Sequence, residues 1–261
     1  MLGKLLKHEF EALIRYYAII GIVMGAVTLF YKGYLMLNLT GRSDFFIFLN
    51  LFAGTAYGAA MIGCLFASLA VIVMRFYKNL VTDEGYLTFT LPVSAGQIIV
   101  SKLIAAISMY LLTGLAGVLS VLVLRKNVRM IDEIIKILTE EFTRMTKDST
   151  MAVFLIYMVT ALIYSLLVFY TAIALGQTCR NHKVLYSVLY YFVIYMITQF
   201  VIGMIFIITF FAKCHTLDSI TDVTAGIMAQ VFLVCSAGLM ILGIGCFSLT
   251  DYLFQKKLNL E

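Results

Sequence analysis

The chain has no tryptophan, one proline in 261 residues, and charged side chains at only 13% of its positions. Each scarcity excludes something. A soluble domain carries roughly a quarter charged residues, so a water-facing surface of ordinary size cannot be assembled here. The five cysteines (Cys64, Cys179, Cys214, Cys235, Cys246) lie far apart and form no C-x-x-C pair. That pattern points to inert buried thiols rather than disulfides or metal ligands. His8, His182 and His215 are equally scattered, so no metal site is expected.

Acids are missing where a carrier would need them. No Asp or Glu lies near the middle of an apolar block, and no block contains the proline. Gradient-driven carriers keep carboxylates or broken helices at mid-membrane. The paired aspartates or H-E-x-x-H of an intramembrane protease are absent, as is a clustered acidic metal site. There is also no G-x-x-x-x-G-K-[ST] phosphate loop, so the chain does not hold ATP in that way. The expectation is a protein that is not itself an enzyme.

What is present is oil in blocks. Hydrophobic residues make up 62% of the chain, and they fall in runs of about 20 residues or more, the length that crosses a bilayer. The runs cover about 17–37, 45–74, 98–124, 151–175, 185–211 and 225–249. They are continuous, without the alternation of a barrel strand. The expected fold is an all-α integral membrane protein with six transmembrane helices in one membrane domain over 1–261.

Two amphipathic segments flank these spans. In residues 1–15, Leu2, Leu5, Leu6, Phe10, Leu13 and Ile14 recur at helical spacing, with Lys4, Lys7, His8 and Glu11 elsewhere on the wheel. This predicts an interfacial helix in the headgroup plane before the chain turns inward. Charges through its first turns also argue against a cleavable signal peptide. In residues 125–150, Val128, Ile131, Ile135, Leu138, Phe142 and Met145 step by three or four and predict a second such helix.

The net charge of +5 is spread along the chain with no run dense enough for nucleic acid. With the N-terminus inside, Lys4, Lys7, Arg15, Arg75, Lys78, Lys102, Arg180, Lys183, Lys256 and Lys257 lie on the inner side. Lys32, Arg42, Lys213 and the six bases of 125–150 lie outside, so base counting alone does not orient the protein.

Within the spans, Gly21 and Gly25, and again Gly54 and Gly58, have the small-x-x-x-small spacing that lets helix backbones approach. Packing within the chain is the expected use, ahead of a dimer seam. The fifth span, "LYSVLYYFVIYMITQF", places Tyr191, Tyr195 and Gln199 at i, i+4 and i+8, beside a second row of Tyr186 and Tyr190. Tyrosines at span ends are interfacial anchors. A row reaching an amide near mid-span is a candidate path lining, or a hydrogen-bonded seam between helices.

The stretch "RFYKNLVTDEGYLTFTLPVSAGQIIVSK" (75–102) concentrates turn chemistry between spans two and three. Arg75 and Lys78 mark the membrane boundary. Thr82 is a helix cap with acids behind it in the first turn. Gly85 can end that short helix, Pro92 fixes the approach to the next span, and Ser94 with Gln97 has capping-box spacing.

Together with "MLGKLLKHEF", this stretch resembles the permease subunits of ATP-binding-cassette transporters of the type-2 exporter class, as found in Firmicutes. The residues that carry the resemblance are Asp83-Glu84-Gly85, Leu91-Pro92-Val93-Ser94 and Lys102. It implies a separate cytoplasmic ATPase holding ATP and Mg, with no cofactor in this chain. It implies a second permease copy or a sister permease completing the path, with the chain surrounded by membrane lipids. The loop would be a cytoplasmic coupling helix, with Lys78, Asn79, Asp83, Glu84, Gly85 and Tyr86 at the ATPase surface and Pro92 and Ser94 at the hinge. The location implied is a bacterial plasma membrane, multi-pass, with both termini cytoplasmic. Peptides, bacteriocin-like amphiphiles, drugs or lipids are the implied cargo. The alternative is a scaffold or immunity protein that binds a partner and moves nothing.

Overall fold

The computed structural model describes residues 2–37, 44–81, 93–124, 133, 136–137, 139–140, 143, 150–179, 182–214 and 223–256. Among these, all regular structure is helical. Six long helices follow one another: α1 (Leu2–Met36), α2 (Asp44–Val81), α3 (Ala95–Leu124), α4 (Thr150–Gly176), α5 (Lys183–Cys214) and α6 (Val223–Lys256). Each is long and apolar enough to cross a membrane. In hydrocarbon every backbone amide must be satisfied within the segment, which a helix does unaided.

The helices overrun the apolar blocks. α2 has 38 residues, about 57 Å at 1.5 Å per residue, against a hydrocarbon core of roughly 30 Å. α1 is unbroken from Leu2 to Met36. Residues 2–15 therefore continue into the first span as one helix, rather than forming a separate element that turns. Nothing in "EALIRYYAII" interrupts the backbone ladder. In the 125–150 segment, residues 133, 136–137, 139–140 and 143 are helical.

Contacts gather the chain into two compact units, residues 1–75 with 104–138, and residues 76–103 with 139–261. The first is held by polar groups at several levels. Arg75 Nε donates to Glu9 Oε2 at 2.9 Å, and the two side chains are only 21% and 13% exposed. Tyr17 donates its hydroxyl proton to the Ser68 carbonyl at 3.1 Å. Further along α1, Thr28 donates to the Met24 carbonyl at 2.7 Å and lies 2.8 Å from Ser120 of α3, which also meets the Tyr57 hydroxyl of α2. A hydroxyl has one proton. Thr28 has spent its own on Met24, so Ser120 donates to Thr28 and Tyr57 donates to Ser120. Tyr31 stacks on Tyr57 with centroids 4.9 Å apart, and Tyr34 donates to Asn50 Oδ1 at 2.9 Å. One polar seam thus ties α1, α2 and α3.

The glycine pairs are not where these helices meet. Among the described residues, a Cβ at Gly21, Gly25 or Gly58 would find nothing within 4 Å, and one at Gly54 would meet only the Tyr31 hydroxyl, at 3.4 Å. The expected close packing through these glycines is corrected. Aromatic and hydroxyl side chains fill the space between the helices instead.

The second unit has α4, α5 and α6 packed on one another. Tyr164, Val168 and Leu239 form its buried cluster. Thr171 of α4 and Thr250 of α6, both buried, face each other at 3.0 Å. Just before α5, His182 adopts a left-handed φ of 50°, a conformation uncommon outside glycine.

Candidate functional site

The α5 row is real in space. Tyr191, Tyr195 and Gln199 line one cleft of about 220 Å³, with Tyr157 and Ser165 of α4 opposite. Residues four apart share a helix face. Tyr191 is fixed by stacking on Phe169 of α4, with centroids 4.5 Å apart and planes 13° from parallel. Tyr195 stacks more loosely on Tyr191, at 6.2 Å, and is 45% exposed.

Behind the row, the polar groups are closed off. Thr198 donates to the Ile194 carbonyl at 2.7 Å, so the 2.6 Å contact with Tyr164 has the tyrosine as donor. Gln199 differs. It is exposed, it sits near the middle of the Lys183–Ala212 span, and its amide has no hydrogen-bond partner among the described residues. An amide facing hydrocarbon without a partner is costly. The cleft therefore offers a phenol and an amide to whatever enters it.

The second part of the site is the pair of helix ends that flank residues 82–92, both in the second unit. At the first root, Phe76 of α2 stacks on Tyr170 of α4, with centroids 3.7 Å apart, and meets Phe254 of α6 edge-on at 6.1 Å. Lys78 lies in the last turn of α2, where the helix dipole favours a cation. Lys78 is exposed and Asn79 half-buried. At the second root, Ser94 caps α3: Gln97 donates its backbone amide to the Ser94 carbonyl at 3.0 Å and lies 3.4 Å from its Oγ. A Cβ on Gly96 would lie 3.4 Å from Asp251 Oδ1 and 3.6 Å from Phe247 Cζ of α6. Lys102, six residues further along α3, is only 5% exposed.

Asp83, Glu84, Gly85, Tyr86 and Pro92 lie outside the described residues. Of the expected coupling set, the structure therefore positions Lys78, Asn79 and Ser94. The sequence reading missed Phe76, Tyr170, Asp251 and Phe254, whose only signal was aromatic or acidic character close to a span's end. Among the described residues no group of three His, Cys, Asp or Glu could hold a metal ion. Cys64, Cys179, Cys235 and Cys246 are free thiols.

Comparison of the chain with family models, with curated proteins and with solved structures finds no match.

Proposed function

We propose that this chain is the permease subunit of an ATP-driven exporter, supplying half of a translocation path and no catalysis of its own. The observation that carries the reading is the exposed Tyr195–Gln199 row on a membrane-length helix, where an apolar face would otherwise be expected. The "DEG" and "LPVS" residues between α2 and α3, with Lys102 early in α3, support the exporter class. Energy arrives from a cytoplasmic ATPase that binds ATP and Mg and grips the loop through Lys78, Asn79, Asp83, Glu84, Gly85 and Tyr86. Residues 75–102 and both termini then face the cytoplasm of a bacterial cell.

The geometry suggests how a push would travel. The first loop root bears on α4 and α6, through Phe76 against Tyr170 and Phe254, and the second bears on α6, through Gly96 against Asp251. Tyr170 follows Phe169, which carries Tyr191 of the cleft. Tilting the loop would tilt α4 and reshape the cleft, a rigid-body change of shear type. A second permease copy or a sister subunit would complete the path. A cargo with apolar bulk and a few hydrogen-bonding groups suits the lining: a peptide, a bacteriocin-like amphiphile, a drug or a lipid.

The test is to co-express the chain with the ATPase encoded beside it and replace Glu84 by Lys. Loss of co-purification and of cargo-stimulated ATP hydrolysis is expected. An unchanged complex with unchanged hydrolysis removes the coupling assignment. A chain that recruits no ATPase at all is the scaffold or immunity protein instead.

A further inference from the structure

One face of α5 carries an open groove of about 1010 Å³ that shares no lining residue with the Tyr195–Gln199 cleft. Its floor is Val184, Leu185, Val188, Leu189, Phe192 and Val193, and Tyr77 at the end of α2 also lines it. All six floor residues are exposed. One end differs in chemistry: His182 and Lys183 line it there. Both are exposed, and neither has an acidic side chain within ion-pair distance among the described residues. The groove is thus apolar along its length and basic at one end.

Its dimensions match a lipid leaflet. From Lys183 to Val193 is ten residues, about 15 Å along the helix axis, and half of a hydrocarbon core of roughly 30 Å is the same depth. Lys183 also begins the span, which puts its ammonium at headgroup level. A base there, continuous with an apolar trough one leaflet deep, has the two parts that an acidic amphiphile needs. Basic pockets beside transmembrane helices are a known way of holding anionic headgroups.

We infer that this groove is a binding site for an anionic phospholipid, its phosphate at Lys183 and His182 and an acyl chain along Val188, Leu189, Phe192 and Val193. Charge complementarity selects the headgroup, and the trough excludes a soluble anion, which would leave it empty. The inference needs only that α5 spans the membrane, and it stands whether or not the chain is an exporter.

The absence of tryptophan makes the test direct. Phe192→Trp places a single fluorophore in the groove, and Val193→Trp serves if that variant does not fold. The full chain is reconstituted in phosphatidylcholine vesicles, and dibrominated phosphatidylglycerol or dibrominated phosphatidylcholine is titrated in at equal mole fraction. Bromine quenches only at contact. Quenching by the anionic lipid should exceed that by the zwitterionic one, with a preference of about five-fold, the attraction of one basic side chain at the surface. Adding Lys183→Glu should abolish the preference, and adding Lys4→Glu on α1 should leave it. Equal quenching by the two lipids, or a preference that survives Lys183→Glu, overturns the site. Absence of quenching by either lipid overturns it as well, and shows that protein covers the groove.

Discussion

Tyr170 of α4 lies flat on Phe76 of α2, with ring centroids 3.7 Å apart, planes 6° from parallel, and both side chains 1% exposed. Phe76 stands six residues before the loop that the exporter reading assigns to the ATPase. The stack is thus at once a packing element and the first rigid contact beyond that loop. Phe76→Ala removes a fully enclosed ring and leaves a cavity, at a cost of about 3–5 kcal/mol. The purified variant should unfold at a clearly lower temperature in detergent. Phe76→Leu should keep most of the stability yet weaken cargo-stimulated ATP hydrolysis in the complex, because a branched aliphatic cannot stack. A Phe76→Leu complex with full stimulation would leave the stack a structural role only.

A different arrangement holds the first unit. The relay from Tyr57 through Ser120 to Thr28 joins three helices with two interhelical hydrogen bonds. Such bonds in membranes average about 0.6 kcal/mol, rarely above about 1.7. A double-mutant cycle with Tyr57→Phe and Thr28→Val should therefore give a small coupling, of about 1 kcal/mol or less. Ser120→Ala alone should cost more than either single change, since it strands both neighbours. Strict additivity of Tyr57→Phe and Thr28→Val would show that the relay does not act as one unit.

Much of this was legible beforehand, for a physical reason. Span number and placement depend on continuous apolar length, a one-dimensional property, so six helices could be read directly. The i, i+4, i+8 row of Tyr191, Tyr195 and Gln199 was equally legible, because helical periodicity alone brings those residues into line, and they do line one cleft. Contacts between helices were not. Nothing in the sequence pairs Glu9 with Arg75, or Phe76 with Tyr170, since sequence distance says nothing about which faces meet. The glycine motif misled for the same reason. Gly21 and Gly25 permit a close approach but do not specify one, and in this chain tyrosine and hydroxyl contacts fill the positions between α1 and its neighbours.

One glycine outside any motif is under real constraint. A Cβ on Gly176 would overlap Ser187 Oγ, and would come within 2.8 Å of both the Lys183 carbonyl oxygen and the Ser187 Cα. Two of these atoms are backbone, so α5 itself must move to make room. Gly176→Ala should destabilise the chain by about 1–3 kcal/mol, as overpacking does. Ser187→Ala should not restore the loss, because it removes only the hydroxyl. Full rescue by Ser187→Ala would mean that the hydroxyl alone, and not the α5 backbone, sets the constraint. The readout is the thermal midpoint of the purified variants, compared at one detergent concentration.

Gln199 gives the sharpest contrast between fold and function. A residue that holds a fold together lowers stability when removed. A polar group kept for a cargo or a partner raises it, because the amide is poorly matched to lipid. Gln199 is exposed, near mid-span, and without a hydrogen-bond partner among the described residues. Gln199→Leu should therefore be at least as stable as the parent chain, and more stable by about 1 kcal/mol if the amide faces hydrocarbon in the isolated subunit. Under the exporter reading the same variant should extrude cargo more slowly from cells that also express the ATPase. Gln199→Asn, which retains an amide on a shorter stem, should keep part of that rate. A clear loss of stability in Gln199→Leu would place the amide inside a hydrogen-bonded seam. The Tyr191–Tyr195–Gln199 row would then be the glue between helices, and the path would have to be sought elsewhere in the chain.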